Sequence, residues 1–203
     1  MSSRAPEARD RWRICVVGDE LVAGIGDARG MGWTGRVAAR TRSEDPIELF
    51  CLPVPDETST ALSGRWESEC NRRFGNGENR LVVAPGSADL RQGVSLARSR
   101  LNLANVLDDA SNRNIRAFVM GPPPRNDVDP RQLAELSTAF ADVCARRRVP
   151  YVETYQPLQD HEQWLADLAS TGGRHPEQAG YGLLAWLVLH NGWHEWLGLP
   201  QDG

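Results

Sequence analysis

The stretch Ile14-Cys-Val-Val-Gly-Asp-Glu-Leu21 ends a run of β-branched and apolar residues in Gly18-Asp19-Glu20, two carboxylates with no hydroxyl between them. Other reactive side chains fall in four further short segments. Asp56 and the hydroxyls of Thr58 and Ser59 lie within 53–59, and Ser87 and Asp89 within 85–90. The segment 121–127 follows Gly-Pro-Pro-Pro, and His175 stands just before Pro176 in 171–176. Two chemistries are open to such a set. A histidine can act as a general base, on a hydroxyl or on water. Several carboxylates brought together can hold Mg²⁺ or Ca²⁺, which prefer oxygen ligands. Lysine chemistry is excluded, because all 23 basic residues are arginine.

The elements that must position these groups follow from hydrophobic periodicity. Strand-like runs at 12–17, 47–52, 80–84, 115–120 and 149–153 alternate with amphipathic stretches near 33–42, 59–74, 93–112, 130–147 and 177–197. This alternation predicts a three-layer α/β/α fold of flavodoxin-like type, with five parallel strands and helices on both faces. Ligands of such sheets bind at the carboxyl ends of the strands, where all five reactive segments fall. Asp129 reads as an N-cap with Pro130 at the first helical position. Ser59 reads as the cap of the second helix, and Pro176 as the start of the last. Residues 12–203 are expected to form one domain, with 1–11 disordered or loosely attached.

Composition narrows the class. Apolar content of 40%, charged content of 25% and a net charge of −4 over 203 residues suit a soluble globular protein. They argue against nucleic acid or an anionic membrane as partner. The longest apolar stretch, around 183–189, is too short to span a bilayer, and the charged N-terminus lacks the apolar region of a signal peptide. A cytoplasmic location is expected. Cys15, Cys51, Cys70 and Cys144 are not closely spaced, which predicts buried free thiols and neither a zinc site nor a disulfide framework. No cofactor is expected. The tryptophans, on helical stretches for the most part, read as core or partner surface, and Arg146-Arg147-Arg148 as a solvated helix end.

In order and spacing, four segments resemble the sequence blocks of the SGNH, or GDSL, hydrolase family of esterases and acyl hydrolases. They are Gly18-Asp19-Glu20-Leu21 with Ala23-Gly24-Ile25-Gly26, Pro55-Asp56-Glu57-Thr58-Ser59, Gly86-Ser87-Ala88-Asp89, and Gly172-Gly173-Arg174-His175-Pro176. The resemblance puts Glu20 at the nucleophilic serine and Asp56 and Ala88 at the oxyanion-hole glycine and asparagine. Gly172 falls at the aspartate that orients the histidine, and only His175 is kept. Asp19 and Asp89 match residues that serve loop hydrogen bonds.

The resemblance also implies that Glu20 faces His175. Such a pair could activate water, or form a salt bridge that plugs the crevice. Ser59, Thr58 and Ser87 are the other hydroxyls available as nucleophiles. Arg65, Arg72, Arg73 and Arg174 are candidates to offset the crevice carboxylates. Two readings follow: a pseudo-enzyme that keeps a crevice for a small ligand or a protein partner, or an ester or acyl hydrolase of altered mechanism. In the second, Glu20 with His175, or a bound cation, activates water.

Overall fold

A computed structural model describes residues 12–44 and 46–200; the N-terminal expectation for 1–11 lies outside the described residues. Five strands form one parallel sheet: β1 (Trp12–Gly18), β2 (Ile47–Pro53), β3 (Asn79–Ala84), β4 (Arg116–Met120) and β5 (Tyr151–Val152), in the order β2-β1-β3-β4-β5. Alternation along the strands builds two cores. Ile14, Val16, Val82, Phe118 and Val152 face one side, and Cys15, Val17, Leu81, Val83 and Val119 the other. Strands buried on both faces read as continuous apolar runs, as β1 and β3 do.

Helices cover both faces. On the first lie α1 (Glu20–Ala23) and α2 (Gly32–Arg40), whose Leu21, Val22, Trp33 and Val37 enter the core. On the second lie α3 (Ser59–Asn71), which contributes Leu62, Trp66 and Cys70, and, after the single turn α4 (Ala88–Arg91), α5 (Leu96–Asn112) and α6 (Pro130–Arg147). The short α7 (Tyr155–Leu158) leads to α8 (Glu162–Ser170) and α9 (Gln178–Val188), which return to the first face with Trp164, Leu168, Tyr181 and Leu184. Each fully buried leucine or valine contributes roughly 1.5–3 kcal/mol, which makes these facing layers the main source of stability. Among the described residues no helix is long and apolar enough to cross a membrane.

Several local expectations need correction. The last strand is only Tyr151–Val152, because Pro150 has no N–H to extend the ladder on this edge. The closing helix starts at Gln178 and breaks at Asn191-Gly192, where Gly192 takes a left-handed φ of 91°; α10 (His194–Leu197) follows. Thr58, not Ser59, caps α3, accepting from the Ala61 N–H at 3.2 Å. Asp129 caps α6 as expected, accepting from Arg131 and Gln132 at 2.9 and 3.1 Å. All four cysteines are free, but Cys51 is exposed because β2 is an edge strand. Five tryptophans are buried, whereas Trp186 is 55% exposed and stacks on His190.

Candidate functional site

β1 and β3 approach closely at their carboxyl ends: a Cβ on Gly18 would overlap the carbonyl oxygen of Ala84. The chain then turns at once into α1. Asp19 is its N-cap, its Oδ1 accepting the Leu21 N–H at 3.0 Å, and Gly24 ends the turn at a φ of 72°. Glu20 therefore stands at the first helical position, 7% exposed and pointing into the crevice at the strand ends.

Its carboxylate has two partners. Oε2 accepts the Asp56 backbone N–H at 3.0 Å, and Oε1 accepts Nη1 of Arg125 at 2.9 Å. Asp56 offers that N–H from a left-handed conformation, φ 54°, with its carbonyl held by Nε2 of Gln92 at 3.0 Å. Arg125 follows the triple proline after β4, and its side chain is only 2% exposed. It lies 3.6 Å from Oδ2 of Asp19 and grips both oxygens of Asp127 at 3.1 and 3.2 Å.

Toward solvent the network widens. Oδ1 of Asp56 accepts from Arg91 at 2.6 Å and Arg174 at 3.0 Å, and both arginines also approach Asp127, at 3.2 and 3.6 Å. Arg174 and Asp56 are half exposed, and pairs of that kind add little, roughly 0–1 kcal/mol. The buried Arg125–Glu20 contact is the consequential one.

The expected Glu20–His175 pair does not form. No hydrogen bond or ion pair joins them, and Glu20 is taken by Arg125 and Asp56 instead. The imidazole packs over Gly26, and its buried Nδ1 has no partner. The serines available as substitute nucleophiles are engaged elsewhere. Ser87 is fully buried, with its Oγ accepting from Arg91 at 2.9 Å, while Ser59 lies against Asp89 and Asn102. Asp89 is structural: it accepts the Ser59 N–H at 2.7 Å and the Ser99 hydroxyl. Ala88 is buried without polar function, and Gly172 is exposed at a φ of 75°, with nothing near the place of a side chain.

The cation reading also needs correction. Among the described residues no three His, Cys, Asp or Glu side chains gather as a metal site, and guanidinium groups take the crevice carboxylates. Of the arginines considered from sequence, Arg174 joins the network. Arg65 pairs with Glu57 and Glu69, and Arg73 bonds the Glu69 carbonyl. Arg125 and Arg91 were missed. The available signal was Arg125's place in a strand-end segment opposite a glutamate that burial forces to find a cation. A cavity of about 800 Å³ opens at the other end of the sheet, beside Asn114, Arg116, Arg148 and Glu195.

The two adjacent acids titrate in opposite directions. Burial opposes ionisation of Glu20, but the N–H groups of Asp56 and of Glu20 itself, with Arg125, outweigh it and hold the pKa below the ordinary value. Asp19 is pushed up to about 7, first by burial and then by the Glu20 charge. A carboxyl whose pKa is higher folded than unfolded binds more protons in the folded state, so its stabilising effect is lost as pH rises through the folded pKa. The unfolding free energy of the wild type should therefore fall, relative to Asp19→Asn, as pH rises from about 4 to about 7. Asparagine keeps the N-cap. Parallel pH profiles from urea titrations would refute this assignment.

The family model for GDSL-like lipase/acylhydrolases matches residues 16–183. No curated protein matches the chain. Among solved structures, the lipase/acylhydrolase from Enterococcus faecalis superposes with a TM-score of 0.73 at 17% identity, covering 94% of this chain and 98% of that one. The psychrotrophic esterase EstA from Pseudoalteromonas sp. gives 0.71 at 19%, covering 92% and 98%. The acetylxylan esterase Axe2 from Geobacillus stearothermophilus gives 0.73 at 16%, covering 94% and 96%. At these identities the structures speak for the fold alone. With a family model spanning most of its length, the chain belongs to the GDSL-like lipase/acylhydrolase family.

Proposed function

We propose that this chain is a non-hydrolytic member of its family, a pseudo-enzyme whose crevice binds and does not turn over. One observation carries the reading: a buried carboxylate, Glu20, is fixed by Arg125 and the Asp56 N–H at the position that the resemblance aligns with the nucleophilic serine. An anion there repels the negative charge that develops in acyl transfer. Ala88 at the aligned asparagine position removes an oxyanion donor, a loss of roughly 2.7–4 kcal/mol of transition-state stabilisation. Gly172 at the aligned aspartate position leaves Nδ1 of His175 without the partner that would set its tautomer.

The corresponding binding partner is a small polar or acyl-bearing ligand, or a protein. Esterase and acylhydrolase relatives lend the acyl group its weight, with neither nucleic acid nor membrane as partner. Four free thiols, one of them exposed, favour a reducing compartment, and we assign the chain to the cytoplasm.

A fluorophosphonate probe, which phosphonylates activated serines, tests the reading. Wild-type protein should stay unlabelled and leave p-nitrophenyl acetate at its background rate. Stoichiometric labelling, located by mass spectrometry on any serine of the crevice, would restore the hydrolase.

A further inference from the structure

The donors around Glu20 form a site in their own right. The Asp56 N–H and Nη1 of Arg125 converge on the two oxygens of one carboxylate, at 3.0 and 2.9 Å. Each donor has anchors besides Glu20. The Asp56 turn is also held by Gln92, Arg91 and Arg174 through its carbonyl and side chain. Arg125 is also held by both oxygens of Asp127 and faces Asp19. A fixed backbone N–H opposite a guanidinium that is 2% exposed is a carboxylate receptor in a water-poor setting, where charge-assisted hydrogen bonds are strongest.

We infer that the space filled by the Glu20 side chain is a binding site for small monocarboxylate anions, with Glu20 as its tethered resident. This rests on the non-hydrolytic reading, in which Glu20 is the fixed occupant of the crevice, and names the chemistry of the place it fills. Tethering gives the resident an effective concentration that a free anion at millimolar levels does not match, so the wild-type site is closed to weak competitors. Cutting the side chain back vacates the site while its donors stay. In Glu20→Ala the missing atoms are the γ-carbon and the carboxylate, which are the atoms of acetate.

The test measures thermal unfolding of the full chain with sodium formate, acetate or pivalate, against sodium chloride at equal ionic strength. In Glu20→Ala, and in Glu20→Ser as a second vacated variant, acetate and formate should raise Tm with dose, by about 5 °C near saturation. Pivalate, with its branched carbon, should not. Wild type and Glu20→Gln, whose amide still fills the space, should respond as they do to chloride. Equal responses in all four chains, or none in the vacated pair, overturn the inference. So does failure of formate and acetate to recover either vacated variant if both unfold without them. Serine-probe labelling would remove the non-hydrolytic reading without touching this result, and a missing acetate response would leave that reading intact.

Discussion

Replacing Arg125 with methionine should cost about 3–5 kcal/mol of unfolding free energy near neutral pH, the range for stripping one partner from a buried ion pair. Arg125 touches three carboxylates, and two of them, Asp19 and Glu20, are almost fully buried. Methionine keeps much of the volume, so cavity formation contributes little and the loss is electrostatic. Two further results identify the cause. The deficit should shrink on acidification, because Asp19, with a pKa of about 7, takes up its proton and Glu20, freed of the guanidinium, follows more easily. The double variant Arg125→Met with Glu20→Gln should recover most of the loss, since removing both charges of a buried pair is often near neutral. Chemical denaturation of the three chains at two pH values measures all of this. A pH-independent loss that the double variant does not relieve would assign Arg125 to packing.

Gly18→Ala should cost at least about 3 kcal/mol or leave the chain unable to fold, at the upper end of overpacking effects. Gly18 pairs with Ala84 across the β1–β3 ladder, and an added Cβ would overlap the Ala84 carbonyl oxygen and crowd Val22. The obstacle is backbone, which no rotamer change can move. The strands would have to separate where the Gly18 carbonyl also accepts the Val54 N–H at 2.9 Å and the turn to Asp19 and Glu20 begins. Gly64→Ala is the matched control. Gly64 is exposed within α3 with nothing near the place of a Cβ, so alanine there should stabilise by about 0.5–1 kcal/mol. Equal effects of the two substitutions, read from urea midpoints, would contradict the close approach of β1 and β3.

The alternation of strands and helices was legible because period-2 and period-3.6 patterns are local properties of a sequence. Runs such as Ile14–Val17 and Arg80–Ala84 locate β1 and β3, and Asp129-Pro130 marks the start of α6 within one residue. The segments at the strand ends were legible for the same reason, and they do gather Asp19, Glu20, Asp56 and Arg125 around one crevice. Shorter features were less so. Pro150 and the Asn191-Gly192 break act through backbone geometry that apolar periodicity does not register.

What the sequence determined by itself is a doubly wound parallel sheet, its reactive loops and the kinds of side chain they carry. Only the tertiary structure decided which side chains meet. Glu20 pairs with Arg125, 105 residues away, and not with His175. The reason is physical. A buried carboxylate takes whichever cation and N–H the fold brings within hydrogen-bond reach, and that choice is made by loop conformation and rotamers after the sheet has formed. The left-handed turn at Asp56 and the rigid approach to Arg125 through three prolines supply those partners. The packing of His175 over Gly26 removes the imidazole from the competition.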